Sequence, residues 1–239
     1  MNRRWLGLVS LTLMAIFLLA ADSKPPRPAY TPTKDYQKQT LQGFQLFIHP
    51  EALKHEMRLA EALKLLGEKL SALQKLLPKD RFDRLCKVPF WIEWQVRPQG
   101  AAEVHISAGW LKDHGYNPDK LNGVEINNIN NFILWTTQDQ PMMVLHELAH
   151  AYHHRYLGAR HAGIDAAYRQ AKERHLYDEV AYVHGGKKQK AYAMTNPDEY
   201  FAELTEAYWG KNDFFPFTRD ELKQHDPIGY KLMETIWGK

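Results

Sequence analysis

Seven residues, Val144-Leu145-His146-Glu147-Leu148-Ala149-His150, constrain this chain more than any other stretch. Two histidines four apart stack one turn apart on one face of a helix, so both imidazoles can reach a single metal ion. Glu147 leaves the helix at an adjacent angle, where it can take a proton from a water on that ion without binding the ion itself. Val144, Leu145, Leu148 and Ala149 make both flanks apolar. An exposed helix has no reason for such flanks, which count against chance placement of His, Glu and His on a surface. The helix must lie in a body large enough to surround it, with partners for both histidines.

The chain supplies such a body. Its 239 residues are 44% hydrophobic and 25% charged, the balance of an ordinary globular protein. That excludes a disordered, collagen-like or multi-span membrane chain. Lys and Arg number 31 against 28 Asp and Glu, a net charge of +3 that gives no case for a nucleic-acid partner. Cys86 is the one cysteine, so an intrachain disulfide is impossible.

Arg3 and Arg4 precede an apolar run from Trp5 to Ala21, with small residues Ala20, Ala21 and Ser23 at its end. This pattern reads as a secretory signal peptide over residues 1–21. The run falls just short of the roughly 18 residues of a spanning segment, and an uncleaved membrane anchor is the alternative. No cysteine follows it to carry a lipid, and the Arg pair is a weak match to a twin-arginine signal. A secreted or periplasmic protein is expected, with no stable membrane association after cleavage.

Pro25, Pro26, Pro28 and Pro32 mark residues 22–41 as an extended linker, leaving 42–239 as a single domain. Phe44, Leu46 and Ile48 alternate and predict a strand over 42–49. Pro50 then opens a long helix with Leu53, Met57, Ala60, Leu63, Leu66, Leu70, Leu73 and Leu77 on its core face, stopped by Pro78. Further strands are expected over 88–96, 103–106 and 123–126, with a short helix over 110–114. Residues 123–127, just before the motif helix, are a candidate edge strand for pairing with an extended peptide. Helices are expected over 141–156, 164–175 and 196–208, and from 226 onward. Strands come early and helices late, which predicts an α+β fold.

Zinc in hydrolases usually has three protein ligands and a water. His153 and His154 are rival third ligands, but a place at the far end of the helix, near free carbonyls, suits them better. The stronger source is Asn196-Pro197-Asp198-Glu199-Tyr200-Phe201-Ala202-Glu203. Glu199 and Glu203 share a helix face. One carboxylate can bind zinc, and the other can accept the remaining N–H of a ligand histidine. Asn196, Pro197 and Glu199 also resemble a helix start with a capping box, which would account for Glu199 but not for Glu203.

His-Glu-Leu-Ala-His followed by Glu199-Tyr200-Phe201-Ala202-Glu203 resembles the gluzincin metallopeptidases. The closer resemblance is to the family of the anthrax lethal factor catalytic domain and the secreted Pro-Pro endopeptidases. It covers His146 to Glu203. The resemblance implies Glu199 as the third zinc ligand, beside His146 and His150. It also implies that Tyr192, seven residues earlier, hydrogen-bonds the oxyanion or assists the leaving amine. Taken alone, Tyr192 is an ordinary aromatic in the loop before a helix.

The expectation is thus an exported zinc endopeptidase with a zincin-like domain: a small N-terminal sheet, an active-site helix and a mostly helical C-terminal lobe. One Zn2+ per chain would be held by His146, His150 and Glu199, with Glu147 as base, Tyr192 beside the oxyanion and Glu203 orienting a ligand histidine. Its partner is a peptide or protein substrate. Two other readings share the site: a zinc amidase acting on cell-wall or small-molecule amides, and a non-catalytic secreted module around a structural zinc.

Overall fold

The computed structural model describes residues 30–238. The expected signal peptide, 1–21, and residues 22–29 of the expected linker lie outside the described residues. A hairpin opens the domain, with β1 (Gln37–Leu41) antiparallel to β2 (Phe44–Ile48). Gln42 (φ 50°) and Gly43 (φ 87°) form its loop, both in the left-handed region that a two-residue hairpin favours. The linker expectation is corrected at its end: residues 37–41 are a paired strand, and Tyr36 is buried edge-on against Trp91. Phe44, Leu46 and Ile48 face the core as their alternation predicts.

The expected long helix is interrupted. Pro50 opens α1 (Pro50–Leu53), the chain breaks at Lys54 and His55, and α2 (Glu56–Leu76) follows. The break resets the helical phase. Leu59, Ala62, Leu66, Leu70 and Leu73 form the buried stripe, while Met57 and Ala60 are exposed. A short α3 (Lys79–Leu85) leads into β3 (Phe90–Ile92), then β4 (Glu103–Val104), α4 (Ala108–Asp113) and β5 (Val124–Ile126).

The sheet order is β1-β2-β3-β5-β4. The inner pairs β2–β3 and β3–β5 are parallel, and the outer pairs are antiparallel. Parallel strands are covered on both faces, so Phe90, Trp91 and Ile92 are all buried and Trp91 stacks on Phe47 at 4.3 Å. The edge-strand expectation is corrected: the crossover through α4 returns β5 to the slot beside β3, and β4 is left at the edge.

The C-terminal half is helical. α5 (Ile129–Gln138) was not anticipated; its signal is Asn128, whose side chain accepts from the backbone N–H groups of Asn130 and Asn131. α6 (Met143–Tyr152) carries the motif and runs into a single wide π turn over His153–Leu157. α7 (Ala162–Glu173), α8 (Pro197–Trp209), α9 (Arg219–His225) and α10 (Pro227–Trp237) complete the chain. The fold is therefore α+β, with a small mixed sheet before the helices.

α8 is the central rod of the helical half, with Tyr200, Phe201, Leu204, Ala207 and Tyr208 buried. Its back is fixed by Asp226, which is fully buried yet accepts from Tyr177 (3.0 Å), Tyr200 (2.5 Å) and the Gly229 N–H (2.9 Å). A Cβ at Gly229 would meet Asp226, Leu204 and the Tyr200 hydroxyl at 2.6 Å, so only glycine lets α10 start this close to α8. With its back held, α8 presents its front to α6.

Candidate metal centre

α6 is buried on nearly every side, through Val144, Leu145, Leu148, Ala149 and Ala151. That fixes the angle at which His146 and His150 leave it. Opposite them stands the first turn of α8. Asn196 caps that turn, its side chain accepting from Glu199 N–H at 2.9 Å, and Pro197 opens it. The cap leaves the Glu199 carboxylate free to reach across to α6. A carboxylate in a first turn is also favoured by the helix dipole.

The three side chains converge. Nε2 of His146 and Nε2 of His150 are 3.1 Å apart, and Oε2 of Glu199 lies 3.1 and 3.2 Å from them. Ligands roughly 2.0–2.1 Å from one tetrahedral ion are separated by about 3.3 Å, so this near-equilateral triangle fits a zinc ion capping it. Two nitrogens and a carboxylate oxygen are also a donor set that zinc accepts. His146 and His150 therefore lie together as their spacing predicts, and the carboxylate that meets them is that of Glu199.

Glu203 is placed differently from its expectation. The partner of His146 Nδ1 is Glu206 Oε1, at 2.7 Å, while Glu203 Oε1 stands at 3.9 Å. Three residues further along α8, Glu206 lies two turns from Glu199 and so on the same face. That spacing was legible in the sequence, which reads Glu199, Glu203, Glu206. One carboxylate oxygen of Glu203 and one of Glu206 lack a hydrogen-bond partner among the described residues. Burial, then the charge of Glu206, push the Glu203 carboxyl up to about 8. The same two causes raise Asp213 to about 7.

Burial alone would lower the His146 imidazole, but hydrogen bonds to Glu199 and Glu206, with the Glu206 charge, hold it well above its ordinary value. Burial would raise Glu199; hydrogen bonds and charge from both histidines outweigh it and hold that carboxyl far below the usual range. Glu147 is raised, chiefly by burial, although both histidines oppose the shift. A buried carboxylate with a raised pKa is a stronger base than one in water.

Glu147 opens into the same cleft as the three donors, which is also lined by Ala102, Glu103, Val104 and Tyr192. Edge strand β4 thus forms one wall. Tyr192, in a 3-10 turn over Tyr192–Met194, is half exposed, with its hydroxyl 3.4 Å from Glu199 Oε1 and its ring 6.4 Å from that of His146. His153 and His154 do not cap helix carbonyls as expected; both lie against Asp198. No family model, curated protein or solved structure matches the chain.

Proposed function

We propose that the chain is a zinc-dependent endopeptidase with a zincin-like domain of the gluzincin kind. The observation that carries this reading is the triangle of His146, His150 and Glu199 donor atoms in one cleft with a half-buried carboxylate, Glu147. The three donors would hold one zinc ion, which supplies Lewis acidity to a water and to the carbonyl under attack.

Glu147 would accept the proton of an attacking water, and its raised pKa suits it to deliver that proton to the departing amine. Tyr192 carries a neutral O–H at the mouth of the cleft, kept protonated first by burial and then by the Glu199 charge. A donor there stabilises the oxyanion of the tetrahedral state more than the ground-state carbonyl. Glu206 holds the His146 ring through Nδ1 and fixes which nitrogen faces the metal. β4, the terminal strand of the sheet, offers backbone groups along the cleft to an extended substrate, which would add as a further strand.

The substrate class in this proposal is an extended peptide or unfolded protein segment. With a signal peptide over residues 1–21, the setting is outside the cytoplasm. Incubation of the purified chain with a random peptide library tests the reading. Internal cleavage that a chelator stops and added zinc restores is the expected result. A zinc-loaded chain that leaves every peptide intact contradicts it.

A further inference from the structure

His153, His154 and Asp198 form a second cluster of ligating side chains, on the same two helices as the first. Consecutive residues on an α-helix point about 100° apart and do not normally share a partner. Here the helix widens into its π turn at His153, and π turns are frequent at functional sites. Nδ1 of His153 and Nε2 of His154 both approach one oxygen, Asp198 Oδ1, at 2.8 and 3.3 Å. Their rings are tilted 42° to one another with centroids 4.9 Å apart.

These contacts have the distance of hydrogen bonds without their direction. His153 is 2% exposed, yet among the described residues neither of its ring nitrogens has a hydrogen-bond partner, and Nε2 of His154 has none either. Unpartnered nitrogens on a buried side chain are costly. Buried ring nitrogens left without a hydrogen bond, beside a carboxylate oxygen within 2.8–3.3 Å, are donor atoms open to a shared cation. The ligating atoms of the three residues all lie within 4.8 Å of one another.

We propose that His153, His154 and Asp198 bind a second divalent transition-metal ion, distinct from the one at His146. Two imidazoles and one carboxylate select for zinc, cobalt, nickel or iron over calcium and magnesium. His154 and Asp198 line the same cleft as Glu147. Asp198 adjoins Glu199, so this ion ties the first turn of α8 to the π turn and fixes the backbone from which Glu199 reaches across. It binds more weakly than the first ion. His146 is backed by Glu206, whereas Nε2 of His153 has no such partner, a difference worth about 10–100-fold in affinity.

Equilibrium dialysis of the chelator-stripped full chain against Zn2+, with metal counted by mass spectrometry, tests this. Two classes of site are expected, the weaker by about 10–100-fold. Asp198→Asn and His154→Asn should each lose the weaker zinc and keep the tighter one, with unchanged circular dichroism. His146→Asn should lose the tighter zinc and keep the weaker, so failure of the first site is told apart from failure of the second. A wild-type chain saturating at one zinc overturns the proposal, as does retention of both classes by both variants. Loss of the tighter zinc from a folded Asp198→Asn chain also overturns it, because Asp198 would then serve the first site alone.

Discussion

The molecule buries two groups of carboxylates and pairs only one of them with a lysine. Beside the sheet, Lys120 is 5% exposed and its ammonium lies 2.6 Å from both Glu93 and Glu125. His105 hydrogen-bonds the remaining oxygen of Glu125, and the Tyr36 hydroxyl donates to Glu93 at 2.7 Å. Burial would lower Lys120, but the two carboxylates outweigh it and raise its pKa, while Glu125 is held low. Between α6 and α8, Glu203, Glu206 and Asp213 have no lysine or arginine within ion-pair distance among the described residues. Among the described residues the ion-pair partner of Glu203 and Glu206 is His146, and one oxygen of each has no hydrogen-bond partner. The first group is complete as a structural brace. The second group lacks such a brace; burial favours its neutral acids, and a positive charge on the other side of the His146 ring, which a metal ion at His146, His150 and Glu199 would supply, would favour their ionised form.

The largest expected effect comes from removing the donor nearest that charge. Glu199→Ala should lose stoichiometric zinc outright, a fall well beyond the roughly 10–100-fold of an outer partner. If dialysis shows full zinc in this variant, Glu199 merely follows the Asn196 cap and the two buried groups no longer differ in the way described. Lys120→Met tests the other group. It leaves two buried carboxylates without their cation and should cost about 3–5 kcal/mol in urea unfolding. Zinc affinity at the α6–α8 site should not change, and a joint loss of zinc and stability would merge the two regions into one network. Glu206→Gln is smaller still, lowering zinc affinity by about 10–100-fold while the chain remains folded. Glu203→Gln should lower it less, because Glu203 stands beyond hydrogen-bond distance of His146.

The subtlest difference is in pH. Glu203 has its folded pKa raised from 4.5 to about 8, so the neutral acid is favoured in the folded chain. Its stabilising contribution is fully present below about 4.5 and is lost as pH rises through about 8. Metal-free wild type should therefore lose melting temperature between these limits more steeply than Glu203→Gln. Added zinc should flatten the wild-type slope, since a cation beyond His146 favours the ionised form. Parallel slopes in wild type and variant would show that the folded chain does not hold the Glu203 carboxyl neutral.

Much of the candidate metal centre was legible because its signals are local. A four-residue spacing places His146 and His150 by helix geometry alone, and Asn196-Pro197 marks the turn that carries Glu199. Glu206 was missed although it obeys the same periodicity two turns on. A spacing argument ranks candidates by face, and only the depth at which α8 packs on α6 decides between Glu203 and Glu206. The brace at Lys120 was invisible for another reason. Its members come from the residue before β1, the end of β3, β5, the stretch after β4 and a short turn, which only the sheet order brings together. The same holds for the edge strand: the pattern of residues 123–127 shows a strand, but the position of β4 outside it is a property of the crossover. Asp198 drew no notice because its partners sit on a π turn, where the ordinary helical spacing of His153 and His154 does not apply.

The central claim is that Glu147 acts as the base of a zinc-loaded peptide hydrolase, and Glu147→Gln addresses it most directly. The change keeps the side chain's shape and removes its proton acceptor. Zinc content and hydrolysis of a cleaved library peptide should be measured on the same preparation. The account predicts wild-type zinc with hydrolysis reduced about 10²–10⁴-fold, the scale of a lost general base. Full zinc with undiminished hydrolysis would contradict it.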